Sequence, residues 1–184
     1  GFGLYGGREN TILNCQSDYN VEGLFLYNVT KTRIVNLSAR SNTVGVMMKF
    51  SNRLEIHNST LYRNEAGLSI NRVSELEIRD CDIRDNDVGM RIYHMNRSRF
   101  TKNTFSTNIG PAVECAYEKP GLEAIENLTT NNTFIDNDVG ISGGDNLIAL
   151  NNIFVGHPNR ALNNVDGDSI AAYNLMWDNG EDQT

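Results

Sequence analysis

Residues 67–88 read GLSINRVSELEIRDCDIRDNDV, and the same pattern of apolar, Gly and Asn positions recurs every 22 residues. Within this stretch Leu68 and Ile70, then Leu76 and Ile78, then Ile83 mark three short alternating segments. Each is far too short for a helix and too regularly placed for loop, so each is predicted to be a strand. One period away lie their counterparts: Leu24/Leu26, Val46/Met48 and Met90/Ile92 for the first segment. Leu54 with Ile12, Ile34, Ile56 and Phe100 serve the second, and Ala39, Leu61 and Phe105 the third. A fixed period of this length means stacked units, each completing its apolar face against its neighbours. The expected fold is therefore all-β: a right-handed parallel β-helix of about eight coils of 22 residues, three short strands per coil.

Two polar columns run in phase with the strands. Gly1, Gly23, Gly45, Gly67 and Gly89 form one, and Asn20, Asn42, Asn64, Asn86 and Asn108 the other. Asn14, Asn36, Asn58 and Asp80 align at a further corner. Tight corners favour residues that tolerate positive φ, which Gly and Asn do. Stacked Asn side chains also hydrogen-bond along the axis and satisfy corner amides. These residues are read as scaffold rather than ligand-binding groups.

Repeats such as IHNSTLYRNEAGLSI and IRDCDIRDNDVGMRI resemble the right-handed parallel β-helix superfamily that includes pectate lyases, and AAYNLMWDNG at 171–180 is similar to a late coil of bacterial members. The resemblance spans nearly the whole chain. It implies a fold and a groove on the first-strand face, but the family mixes lyases, hydrolases, epimerases, tailspikes and non-catalytic scaffolds.

Regularity holds over 1–112 and loosens over 113–184, within what reads as a single domain that is a fragment of a larger protein. Pro111 is expected to replace the repeat glycine, with a one-residue slip; EKPGLEAIEN at 118–127 reads as an excursion. The next coil reads about three residues short around GGD at 143–145, and GHPNR at 156–160 is a second irregular corner. Coil ends without an amphipathic cap suggest flanking domains or end-to-end self-association.

The net charge of −7 excludes a nucleic-acid backbone as partner, and no apolar run is long enough for a membrane span. On the first-strand face, alternation sends Phe25, Met47, Ser69 and Arg91 outward, with Tyr27, Lys49, Asn71 and Tyr93 two residues on. Aromatic rings stack on pyranose faces, and cations neutralise uronate carboxylates. An acidic polysaccharide is therefore the expected partner, with Phe25, Tyr27, Asn71 and Glu114 binding it. If the domain is an enzyme, it is a polysaccharide lyase or uronate epimerase, for which Arg91, Tyr93, Lys49 and His94 have the chemistry. No lyase signature, paired-Asp hydrolase motif or Asp-Pro-His-Glu string accompanies them. The alternative is a non-catalytic structural or binding scaffold of a surface protein, adhesin or tailspike. Either reading places the domain outside the cell or in a periplasm.

Elsewhere Arg33, Glu55, Glu77 and Arg99 read as an outward ion-pair row on the second-strand face, with His57 at the surface beside Arg79. No cofactor or metal is expected: the acidic corner at Asp80, Asp82, Asp85 and Asp87 invites Ca²⁺ but lacks the spacing of a calcium loop. Cys15 and Cys81 share a repeat position three coils apart, about 14 Å along the axis and beyond disulfide reach. Cys115 lies on another face, so three free thiols are expected.

Overall fold

The computed structural model describes residues 1–116, 127–144, 146–165 and 168–183. These residues form a solenoid of short parallel strands with no helix among them. Successive coils pair in register at the repeat: Met47 lies between Phe25 and Ser69, Ile56 between Ile34 and Ile78, and Leu61 between Ala39 and Ile83. The third-strand sheet is a separate stack of eight strands. The first and second faces merge into one sheet, because the chain crosses their shared corner without leaving extended pairing in Val44–His57 and Ala66–Arg79.

The columns expected inside are inside. Leu24, Val46, Leu68 and Met90, with Leu26, Met48, Ile70 and Ile92, are fully or nearly fully buried, as are Ile34, Ile56, Ile78 and Phe100. Each such side chain contributes roughly 1.5–3 kcal/mol of transfer free energy. In the later coils the third column becomes aromatic. Phe105, Phe134 and Phe154 stack nearly parallel, with centroids 5.0 and 4.6 Å apart.

The Asn column is buried and continuous. Asn86 Nδ2 donates to Leu61 O at 3.0 Å and to Asn108 Oδ1 at 3.0 Å, while its Oδ1 accepts from the backbone amide of Asn64 at 2.9 Å. The same pattern joins Asn42 to Asn64 and Asn108 to Asn137. A second buried row missed in the sequence, Asn103, Asn132 and Asn152, repeats it at the corner between the second and third faces. Polar groups at both corners are thus paired rather than left to the core.

The repeat glycines owe their place to crowding rather than to φ. A Cβ on Gly45 would sit 2.6 Å from Gly67 O and 3.1 Å from Asn64 Nδ2. Left-handed backbone is instead carried one residue before the Asn column, at Tyr19, Ser41, Arg63 and Asp85, and at the Asn14, Asn36, Asn58 and Asp80 corner.

Several expectations change. Ala112, not Pro111, takes the glycine position, since Met90 pairs with Val113 and a Cβ on Gly89 would meet Ala112 O. The circuit after Asn132 closes in 20 residues, two short of the repeat. The excursion at 118–127 lies outside the described residues except for Asn127, as does Asp145 of the GGD turn. His57 is buried rather than superficial, because Glu55, Glu77 and Arg79 extend over it. Arg33 does pair with Glu55 at 3.5 Å, but Glu77 turns to Arg79 at 3.3 Å rather than to Arg99. The acidic corner is held by arginines: Arg79 binds Asp80, and Arg84 bridges Asp82 and Asp85.

Candidate functional site

The first-strand face carries a strip parallel to the solenoid axis, near the corner it shares with the second face. Strand alternation points Phe25 and Tyr27 outward, and pairing places Tyr5 directly beside Tyr27. Phe50 joins them from the next coil by a different route. It occupies the left-handed corner position also held by Asn28 and Arg72, with φ of 52°, and this swings its ring out of the sheet. The four rings touch: Tyr5–Phe25 at 5.3 Å, Tyr5–Tyr27 at 6.3 Å, Phe25–Tyr27 at 6.2 Å and Tyr27–Phe50 at 5.5 Å. Tyr5 is 74% exposed, Phe50 43% and Tyr27 40%, so the cluster is an apolar ridge open to solvent.

Two cations border it. Lys49 lies over the Phe25 ring at 6.0 Å and Arg72 over the Phe50 ring at 5.1 Å. Among the described residues neither has a carboxylate partner, unlike most arginines of the second face. A cation held over an aromatic face keeps its charge available to an incoming anion.

Farther along the strip lies a second group. Arg91 Nε is 2.6 Å from Glu114 Oε2, which stands beside it in the next coil. The hydrogen bond from Arg91 to Glu114 is the main cause of a raised Arg91 pKa, with Tyr93 adding to it against partial burial. Arg91 is therefore a fixed, neutralised cation, and Glu114 is its partner. Between Arg91 and Met47, Ser69 faces outward yet is only 6% exposed, forming the floor of the strip.

A bulge then breaks the columns. Ile92 pairs with Ile70 and Met95 with Val73, but between them His94, not Tyr93, pairs with Asn71. His94 also lacks the left-handed φ of Asn28, Phe50 and Arg72 in the preceding coils. Tyr93 thus leaves the Tyr27–Lys49–Asn71 column proposed for it, and His94 is half-buried with Nδ1 unpartnered. Bulges re-aim side chains and are over-represented beside active sites. The geometry gathers seven of the eight sequence-selected residues into two groups: Phe25, Tyr27 and Lys49, then Arg91, Glu114, Tyr93 and His94, with Asn71 between them.

The third histidine is structural. His157 is fully buried, takes the place of an Asn in the buried column and places Nδ1 at hydrogen-bond distance from both the Asn137 amide and carbonyl. Burial lowers its pKa, as it does that of His57, where Arg79 adds to the effect. Burial drives the thiols of Cys81 and Cys115 up to about 11 and about 12. All three cysteines are free.

Residues 22–175 match the family model described as right handed beta helix region. The chain belongs to the right-handed β-helix family. Solved structures with a similar fold include an alginate lyase from Paenibacillus sp. str. FPU-7, with a TM-score of 0.72 at 14% identity over 92% of this chain and 79% of that one. The A-module of Azotobacter vinelandii mannuronan C-5 epimerase AlgE6 gives 0.59 at 15% identity, covering 99% of this chain and 56% of the module. The AlgE4 A-module gives 0.62 at 13%, over 95% and 55%. This β-helix thus spans little more than half the length of either epimerase module. Among curated proteins none matches it by sequence. No helix among its described residues is long and apolar enough to cross a membrane.

Proposed function

We propose that this β-helix binds, and processes by β-elimination or C5 epimerisation, an acidic polysaccharide on the first-strand face. The observation that carries the reading is the exposed Tyr5–Phe25–Tyr27–Phe50 cluster bordered by Lys49 and Arg72, two cations with no carboxylate partner among the described residues. Exposed apolar ridges of this kind mark binding surfaces. Rings bordered by cations suit a sugar carrying a carboxylate better than a neutral glycan or an apolar peptide. The fold-level likeness to an alginate lyase and to mannuronan epimerases supports the same class of polymer.

Either reaction begins with removal of the C5 proton of a uronate. In elimination the C4–O bond then breaks, a C4–C5 double bond forms and the leaving oxygen takes a proton. In epimerisation a proton returns to C5 from the opposite side. His94 and Tyr93 are assigned the proton transfers, Arg72, one coil before them, the neutralisation of the carboxylate, Lys49 that of a uronate further along the polymer, and Arg91 a fixed positive charge beside Tyr93. A polymeric substrate of this kind places the domain extracellular or periplasmic. A non-catalytic binding scaffold is the second reading, favoured by Glu114 neutralising Arg91.

Incubation with alginate and with pectate separates them. Growth of ultraviolet absorbance from unsaturated uronates marks a lyase, and exchange of the C5 proton with solvent deuterium an epimerase. Binding without either marks a scaffold, and no binding refutes the proposal. Tyr93→Phe and His94→Gln should abolish the chemistry while sparing affinity.

A further inference from the structure

The outer side of the third-strand face changes character along the axis. One outward column of the early coils carries Asp18, Arg40, Tyr62 and Arg84. These satisfy one another, Arg40 pairing with Asp18 and Arg84 lying over the Tyr62 ring. In the late coils the same column turns apolar: pairing sets Ile135, Val155 and Trp177 in a row, with Ile153 and Leu175 beside them. Trp177 is 69% exposed and Leu175 57%. Strand formation does not require this, since Thr60 and Thr104 fill the second column upstream. A contiguous exposed apolar patch marks a docking surface.

Charge selects the partner. Exposed Asp136 and Asp178 stand at left-handed corner positions directly after Ile135 and Trp177. Residues 127–184 carry eight Asp and Glu against one Arg, whereas residues 1–72 carry eight Lys and Arg against five Asp and Glu. The patch therefore fits a flat apolar surface with a cationic rim. This chain has one on its first-strand face: the four touching rings bordered by Lys49 and Arg72. A single molecule cannot join the two, because they lie in different coils on different faces of one stack.

We infer that the late third-strand patch docks on the aromatic ridge of a second copy of this chain, acidic rim against cationic rim. The contact is heterologous: each copy gives one surface and accepts on the other, so copies stagger side by side rather than pair about a two-fold axis. The patch is small, two columns about 7 Å apart over three strands about 4.8 Å apart. It falls short of what stable complexes bury, so association is weak and set by concentration. A docked copy covers the ridge, so crowded chains close one another's strip and dilution to the monomer reopens it. The pairing needs only rings and charges, whatever polymer the ridge also binds.

Sedimentation equilibrium of the full chain from about 0.01 to about 1 mM tests this. The average mass should rise with concentration without levelling at two chains, and added salt should lower it. Leu175→Ser with Trp177→Ser removes the patch, and Tyr5→Ser with Arg72→Glu removes the ridge. All four side chains are exposed, so both variants should unfold at the parent's midpoint. Each variant alone should stay monomeric. Their equimolar mixture should form dimers and nothing larger, because each supplies the surface the other lacks. A parent that is monomeric at about 1 mM, or a mixture that stays monomeric, overturns the proposal. So does a parent that levels at two chains, or a variant that still associates alone, since a two-fold or end-to-end contact would then hold the copies.

Discussion

Replacing Asn86 by Ala tests whether the buried amide column holds the coils together. Asn86 is fully buried, and its side chain makes four hydrogen bonds: two donated, to Leu61 O and Asn108 Oδ1, and two accepted, from the backbone and side-chain amides of Asn64. After truncation Asn64 Nδ2 keeps Ala39 O, and Asn108 Oδ1 keeps the Asn86 backbone amide. The Asn64 backbone amide loses its partner inside the wall of the solenoid, whereas Leu61 O stays within the parallel ladder to the 82–84 strand. The orphaned amide costs about 1–3 kcal/mol, and the vacated volume adds to this, so the expected loss is about 2–4 kcal/mol. That is a large share of the roughly 5–15 kcal/mol that holds a typical domain together. Urea unfolding followed by far-ultraviolet circular dichroism measures it, with Asn36→Gly as control. Asn36 is exposed and left-handed, so glycine there should change stability by no more than about 0.5 kcal/mol. Because coils contact only their neighbours, amide exchange in Asn86→Ala should rise first around residues 60–66 and 82–88. A loss below about 1 kcal/mol, or one matching the control, would refute the claim that the column is structural.

Other outcomes follow from the same geometry. Gly67→Ala places a Cβ 2.6 Å from Gly89 O and 3.1 Å from Ile83 Cγ2, so it should destabilise by about 1–3 kcal/mol in the same unfolding assay. His157 has a pKa held below its ordinary 6.5 by burial, so the unfolded chain binds its proton more readily. Its contribution is constant above that value and turns unfavourable as pH falls through it, levelling off below the folded pKa. His157→Asn should therefore flatten the fall in stability on mild acidification, as seen in unfolding midpoints across a pH series. Cys81 and Cys115, with thiols pushed to about 11 and about 12, should react with a disulfide reagent near neutral pH far more slowly than after unfolding. Lys49→Gln and Arg72→Gln should each weaken binding of an oligouronate about tenfold and reduce its salt sensitivity, with the unfolding midpoint unchanged.

The fold was legible because every coil repeats one geometry, so counting by 22 assigns inside and outside at once. Counting failed where geometry departs from alternation. Phe50 stands at a left-handed corner, so its outward ring is invisible to a period-two reading, although Asn28 and Arg72 share its position. Tyr5 was readable from its spacing to Tyr27 alone. His57 shows that outward is not exposed: long charged neighbours from its own and the adjacent coil cover it. The bulge at Tyr93–His94 adds no residue to the repeat and leaves no trace in spacing, yet it decides which of the two aligns with Asn71. The Arg91–Glu114 pair depends on the one-residue slip before Ala112, which brings the two into register.

Chemical-shift mapping of the isotope-labelled protein with a mannuronate pentamer tests the central claim most directly. The account predicts perturbed amides in a single strip, at residues 3–5, 25–28, 47–50, 69–72 and 91–94, with the third face unaffected. Shifts gathered instead on the third face, around the exposed Leu175 and Trp177, or no shifts at saturating pentamer, would contradict it.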